Sequence, residues 1–195
     1  MKNDIILAGV GGQGILSIAA IIGYAAVESG LYLKQAEVHG MSQRGGDVQS
    51  HLRLSSKEIA SDLIPQGKAD MIISVEPMEA LRYIPYLGPE GWLISNTEPF
   101  INIPNYPDEE SVLQEIRKQP RFVLIDAGKI SGDLGNKKAA NVVILGAASP
   151  FIDIPFKLLE DAIKKLFGRK GEDLVALNLE AIRAGREFAK SEINV

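Results

Sequence analysis

The sequence predicts an α/β protein in three layers, with a mostly parallel sheet, an inserted antiparallel strand pair and a helical C-terminal third. Three observations predict it. Short, nearly continuous apolar runs recur at 4–9, 71–75, 91–95 and 122–126, as in parallel strands buried on both faces. Helical patterns follow the first two runs and fill the end of the chain. One run alone, 48–55, alternates apolar with polar side chains, the period of a half-exposed strand. With 195 residues, 46% of them hydrophobic, the chain suits a single domain over 1–195 with a sizeable core.

Residues 4–9 (DIILAG) form the first strand and end in glycines. From 13 to about 29 the chain is rich in Ile, Leu and Ala, has no proline and closes on Gly30, which suits a helix end in the left-handed conformation. This strand, glycine loop and helix make the fold Rossmann-like. A second strand is expected at 31–38. Where a dinucleotide-binding chain would next enter a helix, this one places a glycine-bounded polar loop, Gly40-Met41-Ser42-Gln43-Arg44-Gly45-Gly46, with no helical period. In the alternating strand that follows, Val48, Ser50, Leu52 and Leu54 take one face, and 58–64 is expected as its hairpin partner. The β–α alternation resumes at 71–75 (MIISV), which runs through Glu76 into a helix begun by Pro77. Strands at 91–95 and 122–126 complete a sheet of six or seven, separated by a proline-rich loop at 99–107 and a charged helix near 109–118. The last third reads as three helices, 136–148, 155–167 and 172–189. The final one opens on Glu172 and Asp173 and closes on Arg183, Arg186 and Lys190, in line with the helix dipole.

Composition narrows the function classes. A net charge of −4 offers no attraction to nucleic acid or to an anionic membrane. The absence of cysteine removes disulfides and the thiolates that iron–sulfur clusters and most structural zinc sites use. The two histidines, His39 and His51, have no helical i, i+4 partner that would suggest a metal, so no metal site is expected. Glycines at 9, 11, 12 and 14 interrupt the apolar stretch at the N-terminus, which points away from a signal peptide or spanning helix and toward a cytoplasmic protein.

Two motifs carry chemistry. Gly9-Val10-Gly11-Gly12-Gln13-Gly14 satisfies G-x-G-x-x-G directly between a strand and a helix. There the glycines allow a tight turn, and free N–H groups at the helix start attract a phosphate. Glu37 stands where an acid would bind a ribose hydroxyl. The plainer alternative is a tight packing turn with Glu37 as a solvated strand-end acid. The second motif runs from His39 to Gly46. Arg44 supplies a fixed charge and a planar fork of donors, Ser42 and Gln43 add hydroxyl and amide, and Gly45-Gly46 can present backbone N–H groups to the same anion. An Arg44 ion pair at a subunit contact stands equally beside that reading, and His39 fits a hydrogen-bonded loop residue better than a catalyst.

GVGGQG at 9–14, EVHGMSQRGGDVQSHLR at 37–53, LIDAGKIS at 124–131 and NVVILGA at 141–147 together resemble the gamma-type domain of the pyruvate/2-oxoacid:ferredoxin oxidoreductases. The HGMSQRGG form is most similar to the indolepyruvate branch. The resemblance implies a small subunit of a complex that oxidatively decarboxylates an aryl pyruvate, such as indolepyruvate, to an acyl-CoA and passes electrons to ferredoxin. It implies a large partner subunit holding thiamine diphosphate, its magnesium and the iron–sulfur clusters. This chain would then be inactive alone and complete the active-site environment, including the CoA side. By the same resemblance Gly9, Gly11, Gly12, Gln13 and Gly14, with Ser42, Gln43, Arg44 and Gly45, would line a shared cleft or interface. Isolated copies could self-associate through surfaces meant for the partner. A free-standing nicotinamide-dependent dehydrogenase and a non-catalytic nucleotide-binding module are the competing readings.

Overall fold

A computed structural model describes residues 1–40 and 45–193. In chain order the elements are β1 (Lys2–Val10), α1 (Ile15–Glu28), β2 (Tyr32–His39), β3 (Asp47–Ser55), β4 (Ala69–Ser74), α2 (Pro77–Tyr83), β5 (Leu87–Asn96), α3 (Glu109–Arg117), β6 (Phe122–Ile125), α4 (Ala127–Asp133), α5 (Ala140–Ala148), α6 (Phe156–Phe167) and α7 (Glu172–Ile193). The strands form one sheet in the order β2-β3-β1-β4-β5-β6. β1, β4, β5 and β6 are mutually parallel, whereas β3 runs antiparallel to both of its neighbours.

Alternation along the strands builds the layers. Ile5 and Leu7 of β1, Met71 and Ile73 of β4, and Val123 and Ile125 of β6 face α1, α5, α6 and α7 in the larger core. Ile6, Ala8, Ile72 and Leu93 face the smaller core under α2 and α3, with Tyr83 and Ile116. Helix α5 is buried from Asn141 to Ala148, and α7 crosses it at backbone contact. A Cβ on Gly146 would lie 2.2 Å from Ile182 O, and one on Gly185 would lie 1.9 Å from Val143 O. Among the described residues no helix is long and apolar enough to cross a membrane.

The expected architecture is observed, with one change in the antiparallel pair. β3 pairs with β2, in register from Tyr32↔Ser55 to His39↔Val48, and inserts between β2 and β1. Residues 58–64 form no strand. Side chains hold that segment instead: the Arg53 guanidinium donates to Ser61 O and Leu63 O, Lys34 Nζ donates to Ala60 O, and His51 Nδ1 accepts the Ile64 N–H. With those groups satisfied by side chains, the segment has little left to offer a ladder. Arg53 is itself fixed by a bidentate pair with Asp4, at 2.8 and 3.0 Å.

Candidate functional site

At the carboxyl ends of β1, β4 and β5 the chain opens into a cleft of about 580 Å³. The sheet grows in one direction from β1 to β3 and in the other to β4, so the cleft lies at the point where strand order reverses. Its floor is the glycine loop. Gly9 is buried beneath it, and a Cβ there would lie 2.3 Å from Val75 Cγ2, so glycine lets β1 pass close to the end of β4. Gly12 and Gly14 take positive φ, 101° and 85°. Gln13 braces the turn: its Oε1 accepts the Val10 N–H at 2.8 Å while its own N–H donates to Val10 O at 3.1 Å. Helix α1 then starts at Gly14 with no side-chain cap and no acid in its first turn, which leaves its leading amides suited to an anion.

Lys137 and Lys138, from the turn before α5, line the same cleft and supply positive charge beside that helix start. Asn141 and Asn178 form its wall. Asn141 is 9% exposed, and its Nδ2 donates to Gly14 O at 3.0 Å. Asn178 is 4% exposed, and its Nδ2 donates to Leu174 O at 2.7 Å. The Oδ1 atoms of both accept nothing among the described residues, and neither is sealed from solvent. The cleft therefore combines cationic groups for an anion with two fixed carbonyl oxygens for N–H donors. Asn96 and Glu98 complete it on the β5 side. Sequence reasoning missed all six of these residues. NVVILGA stands out as a run, yet nothing local marks its first asparagine as a neighbour of Gly14.

The two sequence motifs meet beside this cleft. Gly11 N–H donates to Gly46 O at 2.8 Å, and Gly40 N–H donates to Asp47 O at 2.8 Å, closing the second loop at its base. Gly45 has φ 77°, and its carbonyl accepts from Asn102 Nδ2 at 2.6 Å. The Asp47 carboxylate accepts the Tyr83 hydroxyl at 2.9 and 3.0 Å. Burial first, then this bond, holds the Tyr83 hydroxyl well above the usual phenol range. Glu79, paired with Arg82 at 2.7 Å, is raised by burial despite that partner. Ser42, Gln43, Arg44 and the side chain of His39 lie outside the described residues. Gly9, Gly11, Gly12, Gln13, Gly14 and Gly45 are thus brought together at one edge of the sheet. Among the described residues no group of three or more His, Asp or Glu side chains is placed to hold a metal ion.

Glu37 does not occupy a ribose-binding position. It pairs in register with Ser50 of β3, and Gln35 Nε2 donates to it at 3.3 Å. Because β3 intervenes, β2 lies two strand spacings from β1, roughly 10 Å instead of the roughly 5 Å of adjacent strands. The free-standing dehydrogenase loses its acid by this insertion.

The pyruvate ferredoxin/flavodoxin oxidoreductase family model matches residues 4–188. The chain belongs to this family. Its curated relatives include indolepyruvate oxidoreductase subunit IorB of Archaeoglobus fulgidus, 38% identical over 98% of this chain and 97% of that protein. The same subunit of Pyrococcus horikoshii is 34% identical over 100% of this chain and 99% of that protein. Among solved structures, a 2-oxoglutarate:ferredoxin oxidoreductase from Magnetococcus marinus superposes with a TM-score of 0.79 at 24% identity. The match covers 97% of this chain but only 31% of that one, so the fold is about a third of a longer polypeptide there. The gamma subunit of a keto/oxoacid ferredoxin oxidoreductase from Geobacter sulfurreducens gives a TM-score of 0.71 at 23% identity, with 97% and 99% covered. The resemblance read from four segments between 9 and 147 thus extends over the whole chain. Like its relatives in the family, the chain is a small subunit of a 2-oxoacid:ferredoxin oxidoreductase.

Proposed function

We propose that this chain is the small subunit of an aryl-pyruvate oxidoreductase, with indolepyruvate as the leading substrate, and that it completes the active site of a large thiamine- and cluster-binding subunit in the cytoplasm. The observation that carries the reading is the 2.8 Å bond from Gly11 to Gly46, which makes the phosphate-type turn and the second loop one surface. The iron–sulfur clusters would belong to the partner, since this chain has no cysteine to ligate one, and thiamine diphosphate with its magnesium would lie there too. CoA fits the cleft by its donor set. The α1 start with Lys137 and Lys138 would hold its phosphates, and the Oδ1 atoms of Asn141 and Asn178 would accept from its amide or amino groups. When bound, CoA supplies the thiol that takes the acyl group. The residues of this chain would bind and orient it, and Ser42, Gln43, Arg44 and Gly45 would line the shared interface or ligand cleft.

The test is reconstitution. The chain and the large subunit are purified separately, and aryl-pyruvate- and CoA-dependent reduction of a viologen acceptor is followed for each and for the mixture. Turnover is expected only in the mixture. Turnover by this chain alone would end the subunit reading, and indifference of the mixture to Lys137→Ala/Lys138→Ala in the KM for CoA would remove CoA from the cleft.

A further inference from the structure

The connection between β5 and α3, residues 97–108, has no regular structure, yet it is firmly tied down. Glu76, only 1% exposed, accepts the Phe100 N–H at 3.3 Å and the Tyr106 hydroxyl through Oε1, while its Oε2 accepts the Glu79 N–H at the start of α2. Asn96 Nδ2 donates to Glu98 O at 3.3 Å, and Asn102 Nδ2 reaches Gly45 O. On this pinned loop three large apolar side chains point to water, Phe100, Ile101 and Ile103, with Ile101 61% exposed. Singly exposed apolar residues are ordinary, but three within four positions on a braced loop form a patch that favours cover.

We propose that this loop is the docking surface for the large subunit, which receives Phe100, Ile101 and Ile103 in an apolar recess rimmed by basic side chains. The inference rests on the reading of the chain as a small subunit. Charge selects the occupant. Ile101 and Ile103 share a shallow recess with Asp108, Glu109 and Glu110; Arg117 pairs with Glu110 at 2.7 Å, and Asp108 and Glu109 leave the patch an acidic border that asks for a basic one opposite. A second copy of this chain is a poor fit, because a two-fold contact would set the same acidic border against itself. Position agrees with the choice. Through Asn102 the loop is bonded to the base of the second motif, so a partner seated here brings its own groups to that motif. A pre-ordered loop also loses little conformational freedom on binding.

The experiment measures affinity for the separately purified large subunit by calorimetry. The wild-type chain is compared with Ile101→Asp/Ile103→Asp, with Glu109→Lys, and with Leu63→Asp as an equally exposed control elsewhere. The double variant is expected to bind roughly 100-fold more weakly, as for central apolar anchors, while its thermal midpoint stays within about 2 °C of wild type because the side chains are already exposed. Glu109→Lys is expected to weaken binding more at low than at high salt, and Leu63→Asp to leave it unchanged. Wild-type binding with an undiminished double variant would overturn the docking surface and leave the subunit reading intact. No wild-type binding at all would overturn both. A concentration-dependent dimer of the isolated chain that the double variant abolishes, with large-subunit binding untouched, would assign the patch to a second copy and overturn the proposal.

Discussion

Alanine at Gly14 separates the two demands that the glycine loop makes on its sequence. Gly12 and Gly14 both have positive φ, and a side chain in that region costs about 1–2 kcal/mol. They differ in surroundings: a Cβ at Gly12 meets nothing within 4 Å, whereas one at Gly14 lies 2.5 Å from Asn141 Nδ2. Gly14→Ala must therefore push Asn141 away, adding overpacking of about 1 kcal/mol or more and the loss of the Asn141–Gly14 bond, worth about 1 kcal/mol. The expected excess over Gly12→Ala is about 2 kcal/mol, or roughly 4–8 °C in thermal midpoint for a domain of this size. Circular dichroism melts of both variants, of Asn141→Ala and of Gly14→Ala/Asn141→Ala give the cycle. The double variant should be more stable than the sum of its parts predicts by about 1 kcal/mol or more, because the clash is gone. Equal losses at Gly12 and Gly14, or strict additivity in the cycle, would refute the claim that Asn141 and the glycine loop are packed as one unit.

Four further outcomes follow from the core and its edges. Burial first and Arg53 second depress His51, which is neutral in the fold and accepts the Ile64 N–H at Nδ1. Its contribution to stability is full above its ordinary value of about 6.5 and is lost as pH falls through the folded value, since the unfolded chain takes the proton first. Urea midpoints measured from pH 7.5 to 5.5 should fall for wild type and fall less for His51→Asn; equal slopes would contradict this. Gly185→Ala places a Cβ against Val143 O, a backbone atom that cannot swing aside, and is expected to cost about 3 kcal/mol by denaturant titration. Gly168→Ala, with open space and a φ of −56°, should be neutral or stabilising by about 0.5 kcal/mol. Arg53→Met strips a buried carboxylate, Asp4, of its bidentate partner and releases Ser61 O and Leu63 O. Lys2 Nζ still reaches Asp4 at 2.8 Å, so the loss should be about 2 kcal/mol, and chymotryptic cleavage after Leu63 should become an early event; unchanged cleavage would argue against the anchor.

What the sequence made legible was the part of the fold written in local pattern. Both-face burial announced the parallel strands, Gly30 the end of α1, and the alternation of 48–55 the antiparallel strand. The position of that strand was not legible, because register between β3 and two neighbours is a tertiary choice that periodicity does not encode. The same limit misled the reading of 58–64, whose backbone groups go to Arg53, Lys34 and His51, far enough away in sequence to leave no local sign. Within the site, the glycine loop and the second motif stood out because their residue types are unusual together. Asn141 and Asn178 did not, since an asparagine inside an apolar helical run looks like an ordinary polar interruption. Glu76 was read only as the residue before a helix, and its grip on the 97–108 loop became visible when β4 and β5 were side by side.

The insertion of β3 also bears on what can change in this protein and what cannot. Residues 48–55 of β3 are held in register on two sides, Ser50 opposite both Leu7 and Glu37. A residue added to or removed from β3, beyond the 40–46 turn, would shift part of the strand against two ladders at once and present its apolar face to the wrong side of the sheet. The turn is also clamped at its base by Gly40 and Asp47. The register of β3 is therefore as constrained as a core position. A single-residue deletion within β3 should leave the chain unable to assemble its sheet.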